Sequence, residues 1–353
     1  MCRGRATSVA AGMAGTSPIS RIAVIGAGSW GTTAAALLSP RVDTVLWARR
    51  PELAEAISHD RRNPDYLPNV ELPGELTATA HLEAAVPEAE ALVMAVPSHG
   101  FREVFTHLAP LLEASAIVVS LTKGVEQGTL ATMTRVVADV APKLPDSQVG
   151  VLTGPNLAGE IAAGQPTAAV TAFPDPEKAR LVQELFMGPS FRVYTNQDVI
   201  GCELGGSVKN VMAIAAGMSD GLGFGDNTRA TLITRALAEL TRLGMARGGE
   251  AETFAGLAGA GDLIATCCSS LSRNHKVGVA LAQGRSLEDI VADMRMVAEG
   301  VKTTRSVLDM AAVSGVEMPI AEHVGRVLYE GVHPREAVLS LMTREPRAEG
   351  DRR

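Results

Sequence analysis

Short apolar segments alternate with helix-forming stretches through the first half of the chain. Each segment is a continuous run of mainly aliphatic residues, without the alternation of polar and apolar positions that a half-exposed strand shows. Such runs are typical of parallel strands that helices cover on both faces. The order strand, helix, strand therefore predicts an α/β fold with a Rossmann-type, doubly wound parallel sheet. The predicted strands are Arg21–Ile25, Val42–Trp47, Ala91–Val96, Ala116–Ser120 and Gln148–Leu152.

Past residue 203 the apolar positions follow a helical pattern. The segment Val208–Met218 is apolar almost all round, which predicts a helix buried in a core. Apolar residues then recur at helical spacing from Leu232 to Leu243, which predicts a second helix with Asn227 as its N-cap. We therefore expect a flexible leader (residues 1–19), a Rossmann-type domain (20–203), a mostly α-helical C-terminal domain (204–343) and a disordered tail (344–353).

Composition narrows the classes of protein to which the chain can belong. Of its 353 residues, 46% are hydrophobic and 20% are charged, which is enough apolar material for the cores of two domains. A net charge of −7 argues against a surface that coats nucleic acid, and no continuous apolar run approaches the length of a membrane span. Four cysteines without a Cys-x-x-Cys pair fit a reducing cytoplasm. With no HExxH motif and no Cys/His ligand spacing, we predict no metal site.

A glycine-rich turn follows the first predicted strand directly. The sequence GAGSWG (26–31) fits the pattern GxGxxG and opens a helix, which is the context that strengthens this pattern as a dinucleotide signal. Gly26 and Gly28 permit a tight turn and a close approach of the backbone to a pyrophosphate, and Gly31 permits close packing of helix on strand. The first N–H groups of the helix supply donors and a partial positive charge. The alternative is a glycine-rich turn that binds no ligand.

The residues after the second predicted strand bear on which nucleotide binds. NAD sites usually place an acid about 20 residues beyond the glycines. Here the strand runs into Arg49 and Arg50, and no acid follows before Glu52. Two guanidinium groups suit a 2′-phosphate, which arginine binds through a planar pair of hydrogen bonds. We therefore expect NADPH to bind at least as well as NADH; the alternative is two solvated arginines at a strand end.

Lys209 is a candidate for proton transfer because it lies within the apolar segment Val208–Met218. Burial disfavours an ammonium ion and lowers a lysine pKa toward neutrality. The alternative is a lysine whose amine reaches the surface. Lys123 closely follows a predicted strand, at the sheet edge where ligands of α/β folds bind. Further candidates, each with a routine connection or solvated loop as its alternative, are the loop Thr153–Ala158, Asp262, and the donor cluster Ser272, Arg273 and Asn274, which suits a phosphate or carboxylate.

Taken together, these segments resemble the bacterial NAD(P)-dependent glycerol-3-phosphate dehydrogenases. The resemblance runs in consistent order from about residue 20 to residue 343, which makes it far more specific than any single motif. The matching segments are GAGSWG (26–31), VPSH (96–99), TKG (122–124), TGPNLAGEIAAGQPT (153–167), LGGSVKNVMAIAAGMSDGLGFGDNTRA (204–230), AGAGDLIATC (258–267), SRN (272–274) and VAEGVKT (297–303).

The resemblance implies an enzyme that reversibly reduces dihydroxyacetone phosphate to sn-glycerol 3-phosphate, the backbone of glycerophospholipids, with NADPH or NADH. It also implies a homodimer, and a proton transferred by Lys209 as the catalytic residue. The implied substrate-binding residues are Lys123, Gly154, Asn156, Lys209, Asp262, Ser272, Arg273 and Asn274. The glycine turn and the resemblance together give the cofactor-binding residues Gly26, Gly28, Ser29, Trp30, Gly31, Arg49, Arg50, Lys123, Ala158, Arg273, Val297 and Glu299.

One departure and two alternative functions stay open. The family often has serine or threonine where this chain has Asn156, although an amide can still bond a substrate. The chain could be another two-domain dehydrogenase, such as a ketopantoate reductase or a β-hydroxyacid dehydrogenase. It could also be a catalytically silent NADPH-binding sensor or scaffold. The SRN cluster favours a phosphorylated substrate, and the two candidate lysines favour an enzyme.

Overall fold

The computed structural model describes residues 19–294, 298–346 and 348. The predicted leader, apart from Ile19, lies outside the described residues, as do residues 347 and 349–353 of the predicted tail. As predicted, a Rossmann-type sheet domain precedes a helical domain. The strands are β1 (Arg21–Ile25), β2 (Asp43–Trp47), β3 (Thr77–Thr79), β4 (Ala91–Met94), β5 (Ile117–Ser120), β6 (Val149–Thr153), β7 (Thr167–Ala172) and β8 (Phe191–Asn196).

The strands form one sheet in the order β3-β2-β1-β4-β5-β6-β7-β8. Neighbouring strands are parallel except β6 and β7, which run antiparallel, so the prediction of a parallel sheet holds for every pair but one. The strand order reverses between β1 and β4, and open α/β sheets bind their ligands at such a point, outside the carboxyl ends of the strands.

The five predicted strands are confirmed to within two residues at each end. Three further strands, β3, β7 and β8, were not predicted. β7 has the sequence TAAVTA, in which alanine and threonine carry little hydrophobic signal. β8 lies at the edge of the sheet and alternates buried with exposed residues, so it lacks the continuous apolar run of a covered strand.

The sheet is covered on both faces. Alternate residues of β1 enter two different apolar cores: Ile22 belongs to one core, and Ala23 packs with Phe101 and Phe105 in the other. The α-helices within the described residues are α1 (Ser29–Leu38), α2 (Pro51–His59), α3 (Leu82–Ala85), α4 (Ser98–Leu108), α5 (Met133–Val140), α6 (Ala158–Ala162), α7 (Pro176–Phe186), α8 (Val199–Gly221), α9 (Asp226–Ala246), α10 (Ala251–Ala255), α11 (Asp262–Cys268), α12 (Arg273–Ala282), α13 (Leu287–Asp293), α14 (Glu299–Ser314), α15 (Pro319–Glu330) and α16 (Pro334–Met342).

Helix α8 is the central helix of the C-terminal domain, because α9, α11, α12, α14 and α15 all pack against it. It begins at Val199, so the predicted domain boundary after residue 203 falls inside it. The next helix, α9, begins at Asp226, and its N-cap is Gly225 in an extended conformation. The prediction of Asn227 as the N-cap is therefore wrong: this residue already lies in the first turn of the helix.

Within the described residues, α8 is the one helix that is long and apolar enough to cross a membrane by length and composition. Of its most apolar window, 89% is buried inside the protein. This burial is typical of a core helix in a globular domain.

Candidate functional site

The glycine turn between β1 and α1 has the geometry of a dinucleotide site. Gly26 has φ +115°, and a Cβ atom there would lie 2.8 Å from the Ala95 carbonyl oxygen. A Cβ on Gly31 would lie 1.9 Å from the carbonyl oxygen of Gly26, so only glycine permits this contact between helix and turn. A Cβ on Gly28 would instead meet no described atom within 4 Å. Since no side chain among the described residues caps α1, its first N–H groups can receive a pyrophosphate.

The first residues of α1 and the start of α6 flank this turn. The Ser29 hydroxyl donates a hydrogen bond to the Tyr66 carbonyl oxygen at 3.0 Å. The Trp30 ring packs at a tilt on Phe191, with the ring centroids 6.1 Å apart. Its indole Nε1 is buried and has no hydrogen-bond partner within the described part of the chain, which leaves one donor for a ligand. The Ala158 carbonyl accepts from the Thr33 hydroxyl of α1 at 3.3 Å, so α6 lies against α1.

Arg49 and Arg50 lie directly after β2, where they were predicted. Both side chains are exposed, and Arg50 makes an ion pair with Asp65 that raises the pKa of the guanidinium. Arg49 has no ion-pair partner in the part of the chain that the structure describes. The structure thus leaves one arginine open to a ligand and pairs the other with an acid that sequence analysis did not single out.

A lysine–carboxylate–lysine cluster lies where the sheet meets α8. Asp262, at the start of α11, accepts hydrogen bonds from both lysines through different oxygens. The Lys209 amine is 2.5 Å from its Oδ1, and the Lys123 amine is 2.6 Å from its Oδ2. Lys123 also donates to the Gly154 carbonyl oxygen at 2.9 Å. The cluster therefore unites four predicted residues from β5, β6, α8 and α11 or the loops beside them.

The Lys209 amine is buried and its pKa is lowered to about 7. Desolvation is the main cause; the Asp262 carboxylate opposes the shift, and the nearby Lys123 ammonium adds to it. Thr266 completes the environment, since its hydroxyl accepts from the Lys209 amine at 2.6 Å and donates to the Asp262 carbonyl at 2.6 Å. Sequence analysis missed Thr266. Its position one turn beyond Asp262 on α11 was the available signal.

The first turn of α12 carries the predicted cluster of donors. The Ser272 hydroxyl caps the helix by accepting from the backbone N–H of His275 at 3.3 Å. The Asn274 side chain is occupied on both sides: it donates to the Asn210 side chain and accepts from the Gly300 N–H, both at 2.9 Å. Their backbone N–H groups at the helix start, more than their side chains, are therefore the donors available to an anion.

Arg273 supplies the cation of this cluster. It is accessible to solvent, yet the surrounding protein desolvates its guanidinium enough to lower the pKa. The Glu299 carboxylate opposes that shift. Glu299 in turn accepts a hydrogen bond from the Ser98 hydroxyl at 2.7 Å, which joins α14 to the start of α4. The predicted cofactor residue Val297 lies outside the described residues.

Asn156 is buried enough that both polar atoms of its side chain are shielded from solvent, and neither has a partner within the described residues. A buried amide without hydrogen bonds is costly, so these atoms are available to a bound ligand. The described residues contain no group of three or more His, Cys, Asp or Glu side chains that could hold a metal ion.

Fold and site together define a class of protein, the two-domain dehydrogenases that use a pyridine nucleotide. A family model described as the NAD-dependent glycerol-3-phosphate dehydrogenase N-terminus matches residues 21–179, and the corresponding C-terminus model matches residues 198–339. The chain belongs to this family.

Individual relatives agree with the family models. The chain is 52% identical to the glycerol-3-phosphate dehydrogenase, NAD(P)+, of Geobacter sulfurreducens over 330 residues, which cover 93% of this chain and 98% of the relative. The identity and both coverages are the same for the glycerol-3-phosphate dehydrogenase, NAD(P)+, of Geobacter metallireducens. The crystal structure of the glycerol-3-phosphate dehydrogenase from Coxiella burnetii is 39% identical, with a TM-score of 0.88 over 92% of this chain and 99% of that one.

Proposed function

We propose that this protein catalyses the reversible NAD(P)H-dependent reduction of dihydroxyacetone phosphate to sn-glycerol 3-phosphate. The observation that carries the proposal is Lys209, a buried amine with a pKa near 7 that shares Asp262 with Lys123 at the ligand-binding edge of the sheet. Family membership over nearly the whole chain supports the same reaction.

The nucleotide fits the turn between β1 and α1. Gly28 leaves open space there, and the indole N–H of Trp30 has no acceptor among the described residues. When bound, NAD(P)H supplies the hydride that reduces carbon C2 of the substrate. The residues that we assign to the nucleotide are Gly26, Gly28, Ser29, Trp30, Gly31, Arg49, Arg50, Lys123, Ala158, Arg273, Val297 and Glu299.

Lys209 transfers the proton in both directions of the reaction. In reduction its ammonium donates a proton to the C2 oxygen of the substrate, and in oxidation its neutral amine takes that proton back. A pKa near 7 suits both directions because each form is populated at neutral pH. Asp262 and Thr266 hold the amine in place through hydrogen bonds of 2.5 and 2.6 Å. The Lys123 ammonium adds positive charge beside the oxygen that becomes an alkoxide.

The substrate phosphate lies, in this proposal, at the start of α12. Arg273 provides a guanidinium, and the first N–H groups of the helix provide further donors. Binding the phosphate away from C2 uses remote binding energy to orient the reacting carbon. The residues that we assign to the substrate are Lys123, Gly154, Asn156, Lys209, Asp262, Ser272, Arg273 and Asn274.

Finer features of the protein rest on the family resemblance and the sequence. We propose that NADPH is preferred over NADH, supported by Arg49 and Arg50 after β2. We also propose a cytoplasmic homodimer that supplies glycerophospholipid synthesis. Sedimentation equilibrium tests the dimer, which should have twice the chain mass of 36.8 kDa. The division into domains at residue 203 remains a proposal, supported by the end of the last strand at Asn196.

A single assay tests the reaction. Purified protein is mixed with dihydroxyacetone phosphate and either NADPH or NADH, and loss of the reduced-nicotinamide absorbance is followed. We expect turnover with dihydroxyacetone phosphate and none with ketopantoate or another ketoacid that lacks a phosphate. Faster turnover of a non-phosphorylated ketoacid would contradict the proposed substrate. Nucleotide binding without turnover of any substrate would instead support a sensor or scaffold.

A further inference from the structure

A short turn after α2 is fastened to the glycine turn. Asn63 is fully buried, and its amide donates to the Ala27 carbonyl oxygen at 2.9 Å and to the Thr32 hydroxyl at 2.8 Å. The Ser29 hydroxyl closes the arrangement by donating to the Tyr66 carbonyl oxygen at 3.0 Å. Three hydrogen bonds therefore hold this turn, residues 63–67, against the segment that receives the nucleotide. Side chains on the turn have a defined position beside the nucleotide site.

Asp65 lies on this turn and makes an ion pair with Arg50, the first residue before α2. The pair is open to solvent, since the two side chains are 45% and 40% exposed. Because Arg50 follows the carboxyl end of β2, the pair lies where Rossmann-type domains bind the ribose of the adenosine. An exposed pair at this place can exchange one of its partners for a ligand.

The two forms of the nucleotide make opposite demands on such a pair. A free 2′-hydroxyl needs an acceptor, which NAD sites usually provide through an acid at the end of the second strand. This chain has Arg49 and Arg50 there, and Asp65 brings a carboxylate to the same place from another segment. A 2′-phosphate needs cations instead, and Asp65 then both occupies Arg50 and repels the phosphate.

We propose that Asp65 is a specificity-determining residue that limits the preference for NADPH. Its carboxylate accepts the 2′-hydroxyl of NADH and competes with the 2′-phosphate of NADPH for Arg50. The inference rests on the proposed nucleotide-dependent function, and it adds to that function a residue that sets the ratio of the two nucleotides.

Binding of nucleotide fragments to the protein without substrate tests this role. Calorimetric titrations at one ionic strength give Kd values for adenosine 2′,5′-bisphosphate and for 5′-AMP. In Asp65→Asn, we expect the Kd of the bisphosphate to fall about threefold to fivefold, the range set by losing one exposed ion pair. We expect the Kd of 5′-AMP to rise, because an amide accepts the 2′-hydroxyl less strongly than a carboxylate. With intact nucleotides, the ratio of kcat/KM for NADPH to that for NADH should rise in the same variant.

Two further variants separate the contact from a change in net charge. Asp60→Asn removes the same charge at the far end of α2 and should leave both Kd values within about twofold of wild type. In an Arg50→Met background, Asp65→Asn should tighten binding of the bisphosphate less than it does in the wild type, because no guanidinium is left to be released and only the repulsion of the phosphate is removed. An unchanged or lower selectivity in Asp65→Asn, or the same gain in Asp60→Asn, would overturn the inference. Failure of the wild type to bind either fragment would instead count against the proposed function.

Discussion

At the scale of single residues, the proposed chemistry depends on how Lys209 is surrounded. The residue is 5% exposed and lies in the interior helix α8, so its amine loses the hydration that normally keeps lysine charged. Asp262 prevents the amine from being fully neutral by offering a carboxylate oxygen at 2.5 Å. Desolvation outweighs the carboxylate and brings the pKa to about 7, so both forms of the amine are populated near neutral pH, as a group that both gives and takes a proton requires.

Replacing Lys209 separates chemistry from binding. Lys209→Met keeps the length and apolar character of the side chain, so the helix should stay packed. We expect kcat to fall by about two orders of magnitude or more, because the variant removes the amine to which we assign the proton transfer. Binding of NADPH, measured by fluorescence titration, should change little. Lys143→Met, at an exposed lysine, is the control, and near-normal kcat in Lys209→Met would reject the assignment.

The pKa of Lys209 also predicts opposite pH profiles for the two directions. Reduction needs the ammonium, so its kcat/KM, which reports the free enzyme, should be level below about pH 7 and fall above it. Oxidation of glycerol 3-phosphate needs the neutral amine, so its kcat/KM should rise through the same pH and level off above it. Stopped-flow measurement of both directions between pH 5.5 and 9 provides the check. Profiles that bend the same way in both directions would contradict a single group with this role.

Sequence alone could single out Lys209 as a candidate but not its hydrogen-bond partners. The lysine was predictable because one charged residue interrupts an otherwise apolar helical segment. Asp262 lies 53 positions from Lys209 and 139 from Lys123 in the sequence. No local sequence pattern indicates that its carboxylate bonds the amines of both lysines. The pairing of Arg50 with Asp65 was hidden for the same reason, because it depends on how the turn after α2 folds back.

At the scale of elements, the position of Arg273 depends on how closely α12 approaches α8. A Cβ atom on Gly217 of α8 would lie 2.0 Å from the His275 carbonyl oxygen. A Cβ on Gly278 of α12 would lie 2.1 Å from the Ile214 carbonyl oxygen, so each helix needs a glycine facing the backbone of the other. The start of α12, which carries the donors that we assign to the substrate phosphate, is thereby fixed relative to the helix that carries Lys209.

Adding one methyl group at this contact should disturb both stability and substrate binding. In Gly217→Ala, α12 must move away, and we expect a loss of about 1–3 kcal/mol in the free energy of unfolding. Displacement of Arg273 should raise the KM for dihydroxyacetone phosphate more than the KM for NADPH. Gly100→Ala in α4 is the control, since a Cβ there meets nothing within 4 Å, and it should be neutral or slightly stabilising. Equal stability of the two variants in urea would contradict the close packing.

A buried acid caps another helix of the same domain. Glu239 of α9 is 4% exposed, and its carboxylate accepts from the backbone N–H of Ile320 at 2.8 Å and of Ala321 at 3.4 Å. These N–H groups belong to the first turn of α15, which would otherwise lack partners. Desolvation still dominates and raises the pKa of Glu239 to about 7, with the hydrogen bonds opposing it.

This shift predicts how stability depends on pH. The folded protein keeps the Glu239 proton up to about pH 7, whereas the unfolded chain releases it near its ordinary value of 4.5. Because the folded protein holds this proton more tightly, the proton contributes to the free energy of unfolding. That stabilisation is complete below pH 4.5 and is lost as the pH rises through 7, and the whole loss is about 3 kcal/mol at most. Urea unfolding of Glu239→Gln at several pH values should show a flatter dependence than wild type. The exposed Glu336→Gln in α16 should keep the wild-type slope, and a wild-type slope in Glu239→Gln would refute the linkage.

The elements differ in how far the sequence predicts them. β1, β4 and β5 are covered on both faces. Because nearly all their side chains are buried, their sequences are continuous apolar runs that can be recognised without the structure. β8 is a strand because it pairs with β7 at the edge of the sheet. Its own side chains alternate between buried and exposed positions, so it has no continuous apolar run. The antiparallel pairing of β6 with β7 depends on the path of the chain after Thr153, which strand patterns do not encode.

At the scale of the whole molecule, the site exists only because the two domains are held together. Lys123 of the sheet domain meets Asp262 of the helical domain, and Ser98 meets Glu299 in the same way. Farther from the site, Glu203 of α8 accepts from the backbone N–H of Thr134 at 2.9 Å and from its hydroxyl at 2.5 Å, at the start of α5. Burial raises the pKa of Glu203, and this carboxyl group, which water scarcely reaches, attaches α8, the central helix of the helical domain, to α5 of the sheet domain.

If these contacts couple the domains, a nucleotide that binds the sheet domain should stabilise the whole protein. We expect calorimetry of the wild type to show one unfolding transition, which NADPH at a hundred times its Kd stabilises by about 2.7 kcal/mol. Glu203→Ala leaves the Thr134 N–H without its acceptor, which costs about 1–3 kcal/mol and weakens the coupling. The transition should then separate into two, of which NADPH moves only one. Glu184→Ala, at an exposed acid of α7, should behave as wild type. A single transition that NADPH shifts equally in Glu203→Ala would show that the contacts at the site itself hold the domains together.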